Sequence, residues 1–141
     1  MTPPTLVLAT RDAAFAALCE SLLDDGATFD LVVAASTVEL LDVARQHDPD
    51  AVLLDVDGQD VAAIKTLASK VALVSEAWVI LASGYLSPGS PGLTSLLQSI
   101  AGAAVQKPGG SASLSLVGEG GASFVAALEG AFAARPGGGR G

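Results

Sequence analysis

Three polar residues in this sequence stand where short apolar runs end. They are Asp55, Ser83 and Lys107, and the runs before them are 51–54, 78–82 and 103–106. A carboxylate, a hydroxyl and an ammonium brought together make a site for phosphoryl transfer. The carboxylate can act as the nucleophile. The hydroxyl and the ammonium can stabilise charge on the transferring oxygens.

The spacing of apolar residues predicts the elements that would bring these side chains together. Strand-length apolar runs alternate with segments whose apolar residues recur every three or four positions, which is the pattern of βαβ units. Five runs predict five strands, at 5–10, 29–35, 51–54, 78–82 and 103–106. We therefore predict an α/β fold, a doubly wound five-stranded parallel sheet in the flavodoxin-like order 2-1-3-4-5. Helices would cover both faces, one and five on one side and two, three and four on the other.

Short signals mark the ends of the predicted helices. Asp12 precedes the first helix as an N-cap residue, and the segment Ser36-Thr37-Val38-Glu39 matches a capping box before the second. Pro49 ends the second helix because proline lacks the amide to continue it. Pro91 opens the fourth helix at its first turn.

The predicted sheet would gather the three polar residues at one edge. Ligands of open parallel sheets lie beyond the carboxyl ends of the strands, and neighbouring strands are ~4.8 Å apart. Here the chain resembles the receiver domains of bacterial response regulators, the CheY-like superfamily, over about residues 5 to 134. The resemblance rests on Asp55 and Ser83 at their strand ends and on Lys107-Pro108 after strand five. It implies that Asp55 accepts a phosphoryl group, that Ser83 is the switch hydroxyl and that Lys107 contacts the phosphoryl group. The stretches 83–86, 107–110 and 113–116 look most like the receivers of chemotaxis methylesterases.

The sequence departs from the receiver pattern where that family holds Mg²⁺. The family has two acidic residues after strand one, whereas this chain has Thr10 and Arg11, with Asp12 one residue late. Mg²⁺ needs a near-octahedral shell of hard oxygen ligands. The candidate metal ligands are therefore Asp55, Asp57 and Asp12, and we expect weak Mg²⁺ binding. Arg11 has two interpretations: it pairs with Asp55 in place of the ion, or it faces solvent.

Two further positions differ from the family. Asp57-Gly58 follows Asp55 where receivers usually carry Met-Pro and a later Asp-Gly, and Ala104 replaces the aromatic residue three positions before the lysine. These changes concern the metal and the readout of switching. They favour an atypical receiver, or pseudo-receiver, over a conventional one.

The sequence leaves three functions open. The first is a receiver-type module of a two-component phosphorelay, not an enzyme, which contacts a histidine kinase or another signalling protein. It could also form a homodimer through the predicted fourth helix, fifth strand and fifth helix. The second is a conventional Mg²⁺-dependent phosphoacceptor on Asp55. The third is a nucleotide-binding α/β module that cradles phosphate in the loop from Gly118 to Gly121, although Glu119 in that loop opposes an anion.

The charge and composition of the chain exclude some classes of partner and indicate where the protein is located. There are 15 Asp and Glu residues against 7 Lys and Arg, and the net charge of −8 disfavours nucleic acid and anionic membranes as direct partners. The sequence shows neither a signal peptide nor a membrane span, so we expect a cytoplasmic protein.

We predict one receiver domain at 1–135 and a flexible glycine-rich tail at 136–141. Cys19 is expected in the core and His47 at the surface.

Overall fold

Strands and helices alternate along the computed structural model, which describes residues 4–23, 29–34, 37–56, 61–75, 77–83, 103–106 and 121–133. The strands are β1 (Thr5–Ala9), β2 (Asp30–Ala34), β3 (Ala51–Asp55), β4 (Trp78–Ser83) and β5 (Ala103–Gln106). The helices within these ranges are α1 (Ala13–Leu22), α2 (Thr37–His47), α3 (Val61–Val74) and α4 (Gly121–Ala133). The predicted fifth helix is therefore α4.

All strand pairs are parallel, and the strand order is β2-β1-β3-β4-β5. This confirms the predicted topology. In the middle of the sheet Leu8 pairs with Val33 of β2 on one side and with Leu53 of β3 on the other. All five residues of β3 are buried, as expected for a parallel strand with both faces covered.

Alternate side chains of the strands build two separate cores. One core joins strand residues to α2 and α3, and it includes Val7, Leu40, Val52, Ile64, Val71 and Leu81. The other joins strand residues to α1 and α4, and it includes Leu8, Phe15, Cys19, Leu53, Phe124 and Leu128. The predicted faces are thus confirmed for helices one, two, three and five.

The ends of α1 and α2 follow the signals in the sequence. Oδ1 of Asp12 accepts hydrogen bonds from the amides of Ala14 and Phe15 at 3.0 and 3.1 Å, which confirms the predicted N-cap. Helix α2 ends at His47, and the following Asp48 has φ of 46°, in the left-handed region that closes many helices. Pro49 comes next, as predicted.

The buried face of α2 differs in detail from the prediction. The apolar spacing of the sequence predicts that Leu41, Val43 and Ala44 face the core. Ala44 is buried as predicted, but the fully buried leucine is Leu40, while Leu41 and Val43 are half-buried. Two adjacent leucines fit two rotations of the helix about its own axis. The packing of α2 against α3 and the sheet selects the rotation that buries Leu40.

Aromatic side chains pack helix α4 against the rest of the domain. Phe124 meets Phe15 of α1 edge-to-face at 5.9 Å between ring centroids, and Phe132 meets Phe29 at 5.3 Å. Nε1 of Trp78 donates a 2.9 Å hydrogen bond to the carbonyl of Ala131. Helix α4 therefore packs on both α1 and β4.

The remaining sequence predictions concern Cys19, His47, membrane spans and segments that the structure does not describe. Cys19 is buried in the core and His47 is exposed, as expected. No helix in the described part of the chain is long and apolar enough to cross a membrane. The predicted capping box at Ser36, the predicted fourth helix and the tail at 136–141 lie outside the described residues.

Candidate functional site

The carboxyl ends of the strands lie along one edge of the sheet. Asp55 is the last residue of β3 and pairs with Ala82 of β4. Ser83, the last residue of β4, pairs with Gln106, the last residue of β5. The backbone positions of Asp55 and Ser83 thus adjoin as predicted. The side chain of Ser83 and the whole of Lys107 lie outside the described residues, so their roles stay predictions.

Asp55 is buried although it carries a carboxyl group, with 5% of its surface exposed. Its strand pairing continues one residue further, because the amide of Val56 donates to the carbonyl of Ala82 at 3.0 Å. Alternation along β3 places Asp55 on the same face of the sheet as Leu53, the face that α1 and α4 cover.

Thr10 meets Asp55 from the neighbouring strand. Thr10 directly follows β1, is 7% exposed, and donates its hydroxyl to Oδ2 of Asp55 at 2.6 Å. This distance is typical of a hydroxyl that donates to a carboxylate. The amide of Thr10 also donates to the carbonyl of Ala34 at 3.2 Å, which extends the pairing with β2.

The Thr10 hydroxyl takes part in two hydrogen bonds. An ionised carboxylate only accepts hydrogen bonds, so the hydroxyl proton is directed to Asp55. The amide of Asp12 donates to the same Oγ1 at 3.0 Å. A continuous hydrogen-bonded path therefore leads from the start of α1 through Thr10 to Asp55.

The two residues after Thr10, Arg11 and Asp12, are both exposed. Arg11 is exposed, and the hydrogen bond that this loop gives to the Asp55 carboxylate comes from Thr10. The solvent-facing interpretation of Arg11 is therefore the better one. Asp12 is exposed and its Oδ1 caps α1; its service as a metal ligand stays a prediction.

The described donor set does not fit a site for Mg²⁺. A neutral hydroxyl stands beside Asp55 where the receiver pattern has a carboxylate. Among the residues that the structure describes, no three His, Cys, Asp or Glu side chains are grouped so that they could hold a metal ion. Asp57, the remaining predicted ligand, lies outside the described residues. The near-octahedral oxygen shell of Mg²⁺ is not assembled by the described residues.

Sequence reasoning did not identify Thr10 as the partner of Asp55. It placed Thr10 where the receiver family has an acidic residue and considered only Arg11 as a direct partner of Asp55. A signal was nevertheless available, since adjacent strands in the predicted order place the residues after β1 beside the end of β3. A hydroxyl and a carboxylate at those two positions are complementary.

Among known proteins, the chain matches solved structures but no protein of similar sequence. No protein-family model matches the chain, and no curated protein is significantly similar to it. Solved structures match along nearly the whole length. The structure of the P1 domain of CheA3 in complex with CheY6 from R. sphaeroides matches with a TM-score of 0.71 and 23% identity, over 94% of this chain and 99% of that chain. The response regulator domain of Thermotoga maritima CheB matches with a TM-score of 0.69 and 20% identity, over 94% and 99%.

A third match is the N-terminal domain of a response regulator receiver protein from Methanoculleus marisnigri JR1, with a TM-score of 0.62 and 18% identity, over 94% of this chain and 98% of that one. At such identities the likeness concerns the fold. The chain has the fold of response-regulator receiver domains, which confirms at that level the resemblance seen in its sequence. The narrower likeness to chemotaxis methylesterases stays a prediction.

Proposed function

We propose that this chain is a receiver-type signalling module of a two-component system, which acts through contacts with other proteins and is not itself an enzyme. The observation that carries the proposal is the buried Asp55 at the carboxyl end of β3, in a sheet with the receiver fold. A carboxyl group at the edge where such sheets bind ligands is placed for function more than for stability. Burial of a charged group gives no stability unless it is well paired.

The partner that fits this proposal is a histidine kinase or another signalling protein. CheY6, a chain of similar fold, forms a complex with the P1 domain of CheA3. The net charge of −8 favours a protein partner with a basic surface over nucleic acid. A homodimer through β5, α4 and the predicted fourth helix stays a prediction.

The chemistry available at Asp55 is acceptance of a phosphoryl group, and we propose that it is slow. In that step a carboxylate oxygen of Asp55 attacks phosphorus, and the bond to the leaving group breaks and gives it the electron pair. Negative charge on the transferring oxygens has to be stabilised. Thr10 beside Asp55 is neutral and Arg11 is exposed, so the end of β1 contributes little to that stabilisation.

Labelling with acetyl phosphate tests the proposal. We expect wild-type protein to be labelled slowly at millimolar Mg²⁺, and a variant with both Thr10→Asp and Arg11→Asp to be labelled at least about tenfold faster. A tenfold change corresponds to about 1.4 kcal/mol. The same variant with Asp55→Asn added is the matched control, and it should not be labelled.

Each result has a distinct meaning. Fast labelling of the wild type would identify a conventional phosphoacceptor and contradict the atypical site. If the double variant is no faster than wild type, a receiver site impaired at the end of β1 is contradicted. Titration with ATP or NAD in the absence of acetyl phosphate checks the nucleotide-binding alternative. We expect no saturable change in the amide spectrum.

A further inference from the structure

We infer that the Thr10 hydroxyl helps to hold the Asp55 carboxylate in place without a divalent ion, so that the hydroxyl takes the part that a metal ion has in the receiver pattern. The inference deepens the proposed function and rests on it, since it concerns the same site. It makes Thr10 a positioning residue that acts through Asp55.

The first support is burial. Both Thr10 and Asp55 are almost fully buried, and the hydrogen bond between them is itself buried. A carboxylate in such surroundings needs hydrogen bonds or a cation to offset its lost hydration. The 2.6 Å bond from Thr10 supplies a donor at the end of β1, where the family pattern would require a metal ion between two carboxylates.

The second support is the fixed position of the hydroxyl. Thr10 is anchored through its amide to Ala34, and its Oγ1 accepts from the amide of Asp12. Threonine has a branched β-carbon, which restricts rotation about χ1. Rotation of the hydroxyl away from this position would break its hydrogen bond with the backbone amide of Asp12, the residue that caps α1.

The third support is the effect that a metal ion would have. A cation bound to Oδ2 of Asp55 would compete with the Thr10 proton for the same oxygen. Replacement of Thr10 by aspartate reverses the situation, because two neighbouring carboxylates repel each other unless a cation lies between them. Residue 10 therefore decides between a site that is held by a hydrogen bond and a site that requires a metal ion.

The test compares the melting temperatures of wild type, Thr10→Asp and Thr10→Asn with and without millimolar Mg²⁺, at matched ionic strength. Asparagine has the shape of aspartate without its charge, which makes it the control. We expect no Mg²⁺ effect on the wild type or on Thr10→Asn. We expect Thr10→Asp to melt lower without Mg²⁺ and to regain roughly 9 °C when the ion is about a hundredfold above its Kd.

Two results would overturn the inference. One is a wild-type melting temperature that rises with Mg²⁺ as much as that of Thr10→Asp. The other is a Thr10→Asp variant that responds no more than Thr10→Asn. Because no phosphoryl donor is present, these outcomes do not depend on whether Asp55 is ever phosphorylated, and they are separate from failure of the labelling experiment.

A second measurement applies if Thr10→Asp does not fold. Hydrogen exchange of the Val56 amide, which bonds to Ala82 beside the site, is compared in Thr10→Val and Thr10→Ser. Without Mg²⁺ we expect exchange at least about tenfold faster in the valine variant, and a wild-type rate in the serine variant because its hydroxyl remains. Equal rates in the two variants would overturn the inference.

Discussion

The hydroxyl of Thr10 and the carboxylate of Asp55 are separated by 45 residues of sequence and joined by a buried 2.6 Å hydrogen bond. They meet because β1 and β3 are neighbours in the sheet and both strands end at the same edge. The bond therefore depends on the correct strand order, and it links the fold directly to the candidate site.

The stability of the protein should depend on the hydroxyl of Thr10 and less on its methyl group. Thr10→Val removes a donor to a buried carboxyl group, and we expect the free energy of unfolding to fall by about 2 kcal/mol. Thr10→Ser keeps the donor and removes one methyl group, at a cost of about 0.8 kcal/mol. Urea unfolding measures both values, and equal losses in the two variants would contradict the role of the hydroxyl.

The cap on α1 gives a second prediction. Asp12→Ala removes the acceptor for the amides of Ala14 and Phe15, so we expect a loss of about 1 kcal/mol. Asp12→Asn keeps an oxygen at that position, and asparagine caps helices as well as aspartate does. Urea unfolding should show a loss of only a few tenths of a kcal/mol for the asparagine variant, from the missing charge. A loss as large as that of alanine would show that the carboxylate charge, and not the cap, is what matters.

Much of this fold could be predicted from the sequence, because alternating apolar runs and helical patterns leave few topologies open to a single parallel sheet. Asp55 at the end of β3 followed from the same pattern. The contact between Thr10 and Asp55 did not, since a hydrogen bond depends on strand register and rotamer, and apolar periodicity reports neither. Leu40 shows the same limit on a helix, where two adjacent leucines fit the pattern equally well.

Two leucines test whether α4 is an integral part of the domain. Leu128 of α4 has no exposed surface, whereas Leu73 of α3 is 85% exposed. We expect Leu128→Ala to lower the free energy of unfolding by about 2–5 kcal/mol through the cavity that it leaves. Leu73→Ala, the same chemical change at the surface, should stay within about 0.5 kcal/mol of wild type. Similar effects of the two changes in urea unfolding would contradict the packing of α4 on the sheet.

A hydrogen bond from Trp78, the first residue of β4, gives a second test of the packing of α4. The chain has one tryptophan, and its indole Nε1 donates to the carbonyl of Ala131. Trp78→Phe keeps an aromatic ring but removes the donor, so we expect a loss of about 1 kcal/mol in urea unfolding. In the wild type the indole proton should exchange slowly with solvent. Exchange at the rate of free tryptophan would show that the bond is absent in solution.

The most direct test of the central claim is a titration of the wild-type protein with Mg²⁺ and beryllofluoride, which mimics a phosphoryl group on a carboxylate. The amides of Thr10, Val56 and Asp12 report on the site. The variant with both Thr10→Asp and Arg11→Asp is the positive control. A receiver-type site that Thr10 holds without metal predicts no saturable shifts in the wild type at millimolar Mg²⁺ and saturable shifts in the variant. Saturable shifts of these amides in the wild type would contradict that account and identify Asp55 as the acceptor of a conventional metal-dependent receiver.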